Sequence, residues 1–462
     1  MYRYTRYVLL VLLAGLPVAP TWAADSELEQ LRQELELMRQ GYESRIQQLE
    51  SKITELADKQ AVTEHKVASR APAPAPTGQR SGQNDFNPGI AAILNGKVNS
   101  YSRDPDTYAL PGFQLGGEAG LSSEGLTAEE SELSISGNID DRFFGNLTLG
   151  IHQDDGETAV ELEEAYIESM GLPNGFGVKT GRFFSEVGYL NRQHSHAWDF
   201  ADEPLVYRAF LGKQYTDDGV QVRWLAPTDT FLEVGGEYLR GASFPAGGSD
   251  NEGKGVATLF AHLGGDVGDS HNWRVGLSGL WADARERSVG DSAHGHVHGG
   301  GGAEPSVFAG DSNLWIADVV WKWAPGGNPV ERNFKFQAEY FHRQEDGLVS
   351  VDDGMEMTDY RGTQNGWYAQ VVYQFRPRWR IGARYDQLWS DNRGSDAGVL
   401  DEAGLNDDYD PSRFSAMLDY SRNEFNRLRF QYNRDKSRPG SADDQFTIQY
   451  LMSFGAHGGH QF

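Results

Sequence analysis

Residues 367–386 read Trp367-Tyr-Ala-Gln-Val-Val-Tyr-Gln-Phe-Arg-Pro-Arg-Trp-Arg-Ile-Gly-Ala-Arg-Tyr-Asp386. Two alternating runs meet at Arg376-Pro-Arg378. Before the turn, Trp367, Ala369, Val371, Tyr373 and Phe375 fall on one face and Tyr368, Gln370 and Gln374 on the other. After it, Trp379, Ile381, Ala383 and Tyr385 oppose Arg380, Arg384 and Asp386. Side chains of period two mark β-strands. The charged face demands water, and the apolar face demands lipid or a core.

The same pattern recurs on both sides. Leu133, Ile135, Gly137 and Ile139 oppose Glu132, Ser134 and Ser136. Trp273, Val275, Leu277 and Trp281 oppose Arg274, Gly276 and Ser278. Trp315, Ala317, Val319, Trp321 and Trp323 oppose Asp318 and Lys322. Leu428, Phe430 and Tyr432 oppose Arg427, Arg429 and Gln431, and a last run holds Phe446, Ile448, Tyr450, Met452 and Phe454. Roughly sixteen such strands fit between residue 87 and the C-terminus.

The connections sort into two kinds. Leu172-Pro-Asn-Gly, Ala226-Pro-Thr-Asp, Ala324-Pro-Gly-Gly and Arg376-Pro-Arg are short turns. Between them run mostly long connections, near 103–127, 189–217, 242–254, 285–311, 345–362, 390–411 and 435–444. Short turns on one side and long loops on the other are the habit of outer-membrane barrels. A soluble sandwich has no reason to sort its loops. The expected fold is therefore all-β, a 16-stranded antiparallel transmembrane barrel.

Composition agrees. Mean hydropathy is −0.57, and no run after residue 20 approaches the roughly 18 apolar residues of a membrane-spanning helix. A barrel hides its apolar residues on alternate positions. The net charge of −26 speaks against nucleic acid as a partner. With no cysteine in 462 residues, stability must come from the strand ladder.

The first 86 residues serve other ends. Residues 1–24 carry Arg3 and Arg6, a short apolar core from Tyr7 and small residues at Ala23-Ala24, the pattern of a secretory signal. Residues 25–68 place Leu28, Leu31, Leu35, Met38 and Tyr42, then Ile46, Leu49, Ile53 and Leu56, at three–four spacing. That predicts an N-terminal helix in a coiled coil with one stutter, lying in the periplasm. Self-association, as a homotrimer, would bury its stripe. Residues 69–86 form a Pro/Ala-rich linker. The expected location is the outer membrane of a Gram-negative bacterium, with outer-membrane lipid and the barrel-assembly machinery as partners.

The stretch Glu163-Glu-Ala-Tyr-Ile-Glu, then Leu172-Pro-Asn-Gly-Phe-Gly-Val-Lys-Thr-Gly-Arg-Phe-Phe-Ser-Glu-Val-Gly and a long third loop, resembles the phosphate-selective porin O and P superfamily. Asn87-Pro-Gly-Ile, His194-Ser-His-Ala-Trp-Asp-Phe and the C-terminal Ser453-Phe-Gly-Ala-His-Gly-Gly-His-Gln-Phe are similar to a group of outer-membrane proteins associated with zinc-regulated genes, sometimes labelled TonB-dependent receptors. The resemblance implies a sixteen-stranded porin. The acidic total departs from the basic pore ladder that phosphate selectivity implies. About 375 residues are too few for a 22-stranded barrel with a plug.

The third loop is the expected constriction, with His194, His196, Trp198, Asp199, Asp202, Glu203 and Arg208 as its candidate residues. His194 and His196 are candidate zinc ligands together with Asp199, Asp202 or Glu203, since imidazole and carboxylate suit zinc. Further candidate ligands are His294, His296 and His298 in a Gly-rich tract, and His457 and His460 at the C-terminus. The structural alternative is that His194 and His196 only hydrogen-bond the loop to the barrel wall and that His294, His296 and His298 are incidental to a disordered loop. Acidic stretches at Asp352, Asp353, Glu356 and Asp359, and from Asp391 to Asp410, are candidate calcium sites or plain solvated surface. Expected pore-lining charges are Arg274, Asp318, Lys322, Arg380, Arg384, Asp386, Asp419, Arg427 and Arg429. No cofactor is required for passive diffusion of small solutes or ions. No nucleophile–histidine spacing points to an enzyme. The alternative reading is a surface metal-binding or adhesion protein on a plugged barrel.

Overall fold

Seventeen strands account for the alternating runs in a computed structural model, which describes residues 88–455 apart from 117–118, 129, 155–156, 248–254, 290–305, 352–353 and 406–408. The predicted signal, coiled-coil helix and linker lie outside the described residues. So do His294, His296, His298, His457 and His460.

In chain order the strands are β1 (Gly89–Tyr101), β2 (Gly125–Ala128), β3 (Ser131–Asn138), β4 (Phe143–Asp154), β5 (Glu157–Ser169) and β6 (Phe176–Phe184). They continue as β7 (Thr216–Leu225), β8 (Phe231–Leu239), β9 (Val256–Val267), β10 (His271–Val289), β11 (Ser306–Trp323) and β12 (Asn333–Val351). The last are β13 (Glu356–Arg376), β14 (Trp379–Arg393), β15 (Ser412–Asn423), β16 (Asn426–Lys436) and β17 (Asp443–Gly455). Apart from β2 with β3, each pairs antiparallel with its neighbour in sequence. β1 closes the ring against β17, from Ala91 opposite Gly455 to Tyr101 opposite Gln445. β2 and β3 follow one another along the other edge of β1 and make a single stave. The sheet is thus a closed barrel of sixteen staves, and closure leaves no open edge.

Register decides the faces. Along the seam, Leu94, Val98, Ile448 and Tyr450 are exposed on the outer face, while Asn95, Asn99 and Gln449 are buried on the inner one. Exposed Leu259, Leu277, Ile381, Phe414 and Phe430 continue the outer face around the ring. An apolar exterior over a polar interior is what lipid outside and water inside require.

Two expected long connections shrink. The ladder of β12 with β13 runs on to Val351 opposite Glu356, so the segment 345–362 is mostly strand. Likewise β16 and β17 reach Asp435 opposite Asp443. The polar residues there alternate with apolar ones, and ladder hydrogen bonds outweigh their turn-like composition.

The interior is not an open tube. Tyr108, Leu110, Phe113, Leu115, Ala119 and Leu121 from the first loop turn inward. They join Val187, Leu190, Trp198 and the helix α1 (Leu205–Leu211) of the third. Leu280, Ile316, Phe341, Tyr368 and Leu388 of the wall complete this apolar core. A second short helix, α2 (Ala397–Glu402), lays Val399 and Leu400 over Phe308, Val349 and Tyr360. Its N-terminus is capped by Asp396, whose carboxylate accepts from the Gly398 amide at 2.9 Å. Asp359 accepts from the Ser395 amide at 2.9 Å, and Asp391 pairs with Arg393 at 2.8 Å. These carboxylates of the acidic stretches therefore have local structural duties.

Candidate constriction site

Residues 185–215 leave β6, cross the interior and return to β7. The base is zipped by one side chain. The Asn191 amide donates to the Ser185 and Tyr215 carbonyls at 2.8 and 2.9 Å, and its oxygen accepts from the Tyr215 amide at 2.7 Å. Helix α1 follows Pro204, and its first amide, at Leu205, donates to Asp386 on the wall at 2.9 Å. Gly212 ends it in the left-handed region, at φ 63°. All seven helical residues are buried.

The wall holds the start of the loop through Glu339, which is 1% exposed. Its carboxylate accepts from the Tyr189 and Leu190 amides at 2.8 and 3.2 Å and from the Tyr207 and Tyr368 hydroxyls at 3.0 and 2.6 Å. Gly188 lies beneath this carboxylate with φ 72°. A Cβ there would stand 2.6 Å from the carboxylate and 2.8 Å from the Tyr207 hydroxyl. Gly188→Ala should therefore cost the loop about 1–3 kcal/mol of local stability, seen as faster trypsin cleavage at Arg192 while the heat-stable mobility of the barrel in gels is kept. Unchanged cleavage would mean that the turn tolerates a side chain.

The loop meets two differently charged arcs of wall. Its acidic stretch faces the basic arc. Asp199 pairs with Lys335 at 3.0 Å and Arg380 at 2.8 Å. Asp202 pairs with Arg384 at 2.6 Å and Arg413 at 3.1 Å, and accepts from Gln431 at 2.7 Å and Asn433 at 2.8 Å. Burial alone would raise the Asp202 carboxyl, but Arg413 and Arg384 hold it well below the usual carboxylate range. Glu203 pairs with Arg208 inside the loop, and the Trp198 indole donates to the Gln193 carbonyl at 2.8 Å.

Its histidine stretch faces the acidic arc. His194 Nδ1 lies 3.2 Å from both Glu132 and Glu163, and its Nε2 lies 3.1 Å from Glu164. His196 Nδ1 lies 2.7 Å from Glu132, and the two rings stack 5.6 Å apart. Ser195 donates to Glu130 at 3.1 Å, and Lys213 reaches the same carboxylate at 2.7 Å. Burial disfavours the charged imidazole, yet Glu132 and the hydrogen bonds to Glu163 and Glu164 hold His194 well above the ordinary histidine value.

This corrects the expected ligand set. Asp199, Asp202 and Glu203 are committed to Lys and Arg partners, so they do not share a site with the histidines. The carboxylates that do, Glu132, Glu163 and Glu164, come from β3 and β5. Glu163 and Glu164 both point inward because β5 carries a bulge: Thr148 opposes Glu164, Leu149 opposes Leu162, and Glu163 is the extra residue. Two adjacent acids at the point where alternation breaks were the sequence signal for it.

The expected pore-lining charges all sit on inward positions, but most are covered. Arg384, Asp386, Asp419 and Arg429 are at most 2% exposed. Arg429 pairs with Asp419 at 2.8 Å and donates to the Trp198 carbonyl at 2.9 Å. Arg380 bridges Asp199 and Asp419. Arg427 reaches the His196 and Trp198 carbonyls at 3.4 Å. Arg274 lies 3.6 Å from buried Asp318, while Lys322 is half-buried. The loop covers these charges because its own charges and carbonyls answer them. Among the described residues, a crevice of about 20 Å³ runs beside the loop, lined by Lys97, Asn99, Asp202, Arg208, Asn433 and Gln445 among others.

No protein-family model matches the chain. It is 32% identical over 407 residues to an uncharacterized protein of Aquifex aeolicus, covering 82% of this chain and 81% of that one. The chain belongs to the same family as that protein. Among solved structures it is similar to a loop L8 deletion mutant of OmpT, an outer membrane protein of Vibrio cholerae (11% identity, 80% of this chain and 99% of that one, TM-score 0.49). It is also similar to the outer membrane channel DcaP of Acinetobacter baumannii (14%, 82% and 100%, TM-score 0.46).

Proposed function

We propose that the protein is an outer-membrane channel of porin type, passing small hydrophilic solutes or ions by diffusion along a narrow path beside an inward-folded loop. The observation that carries this reading is the polar crevice between residues 185–215 and the wall. The crevice has room for about one water molecule, so a solute route that follows it would have a small unit conductance. Selection would fall to Lys97, Asp202 and Arg208 at its lining. A bias toward cations, from the net charge of −26, belongs to the same proposal. So do a homotrimeric state, export by the N-terminal signal and a periplasmic coiled coil.

The apolar core supports a second reading, in which the barrel is plugged and acts as a surface binder. Planar-bilayer recording separates them. The full-length protein should give small steps, with reversal potentials displaced toward the cation in a salt gradient. Replacing residues 192–213 by a short Gly-Ser link should raise the conductance several-fold. Silence from the native protein, with current only from the shortened one, would favour the plug. Silence from both would overturn the channel.

A further inference from the structure

We infer that Glu132, His194 and His196, with Glu163 beside them, form a site for a first-row divalent cation of zinc-like chemistry, which clamps the inward loop to β3 and β5. One donor atom from each of Glu132, His194 and His196 lies within 4.8 Å of the others. A tetrahedral zinc site, with bonds of about 2.1 Å, needs donors about 3.4 Å apart. Small rotations about the side-chain bonds of residues already in contact close that gap.

A separate observation points to a cation at this place. Glu163 is 6% exposed, and its Oε1 meets no N–H donor but lies against the Glu130 carboxylate. A buried carboxylate oxygen without a donor is costly. The surroundings deepen the deficit. Glu130, Glu132, Glu163 and Glu164 crowd one patch, against Lys213 and the two histidines, and a divalent ion would take the place of any proton on His194. A divalent ion would satisfy the orphan oxygen and balance the charge together.

The donor set selects the class of ion. Two imidazole nitrogens and carboxylate oxygens, without sulfur, suit zinc, nickel or cobalt. Calcium and magnesium ask for six or more oxygens and are disfavoured here. The Glu163 bulge has its role in this site: it delivers a second inward carboxylate from a strand whose period would otherwise send that residue into lipid.

The position gives the site a consequence. Asp202 fastens the loop to one arc of the wall, and the metal would fasten it to another. Occupancy would then hold the narrow path in one geometry, a role that rests on the channel reading above. Binding itself does not rest on it.

The test begins with full-length protein in detergent in which His294, His296, His298, His457 and His460 are replaced by Asn, so that the other clustered histidines cannot respond. After chelator treatment, zinc titration by calorimetry should show one ion per chain. Zinc-edge X-ray absorption should show two imidazoles with oxygen ligands. Adding His194→Ala and His196→Ala should weaken binding on the order of 100-fold or more, because even the outer partners of metal ligands cost 10–100-fold. Glu163→Gln keeps the size of the side chain, guards against a folding artefact, and should weaken binding about tenfold or more. Equal zinc binding with and without the two histidines, or none in the starting protein, would overturn the site. A channel that conducts without holding zinc would sink this inference alone. A silent barrel that holds zinc would sink the channel reading alone.

Discussion

Asp202→Ala is expected to raise the conductance of the proposed channel. The Asp202 carboxylate answers Arg384 and Arg413 and accepts from Gln431 and Asn433. Removing it leaves two guanidinium groups, each at most 2% exposed, to share one carboxylate, Asp386, at 3.2 and 3.7 Å. Stranding a buried charge outright costs about 3–5 kcal/mol, and with Asp386 still paired to both arginines the loss should be about 1–3 kcal/mol. The barrel itself does not depend on Asp202, so the cost falls on residues 199–208, which should leave the wall. Single-channel conductance should rise several-fold, with added current noise. Trypsin should cut at Arg208 or Lys213 in folded protein. Asp202→Asn, which keeps the size and part of the hydrogen bonding, should lie between the two. Native conductance in Asp202→Ala would show that the apolar core alone holds the loop.

Phe210→Ala is expected to loosen the same loop from its other side. Phe210 is fully buried in α1. Its ring meets Phe113 edge-on at 5.6 Å and Phe341 at 5.5 Å, and the Arg343 guanidinium lies 5.1 Å over it. Truncating a buried Phe to Ala costs about 3–5 kcal/mol through lost transfer energy and the cavity left behind. Because the ladder of sixteen staves survives, the loss should appear as local opening. Amide exchange across Leu205–Leu211 should quicken by about two to three and a half decades, at 1.4 kcal/mol per tenfold, while strand amides keep their protection. Phe210→Leu, which leaves a smaller cavity, should cost less than Phe210→Ala. Equal quickening in strands and loop would mean that core and wall open as one unit.

The wall was legible residue by residue. Trp379, Ile381, Ala383 and Tyr385 against Arg380, Arg384 and Asp386 is a pattern that only a strand with two different solvents can carry, and the faces followed from parity. The inward loop was legible as well, since a stretch holding Trp198, Phe200, Leu205, Val206, Tyr207 and Phe210 has too much apolar surface for a loop in water. Its partners were not. Asp202 and Arg413 stand 211 positions apart, and His194 meets Glu163 across 31. Spacing in sequence carries no information about which arc of a closed wall a loop will touch. The histidines were therefore matched to their neighbours Asp199, Asp202 and Glu203, which the fold turns toward arginines instead.

The sequence by itself determined the barrel. Period-two alternation assigns the faces outside the β5 bulge, and the short Pro- and Gly-containing turns mark one end of the ring, because both are local properties of the chain. Only the tertiary structure decided what fills the interior. Closing sixteen staves brings the acids of β3 and β5 to one arc and the arginines of β14, β15 and β16 to another. A single loop of mixed charge and apolar content then settles where its histidines, its carboxylates and its aromatic rings are all answered at once.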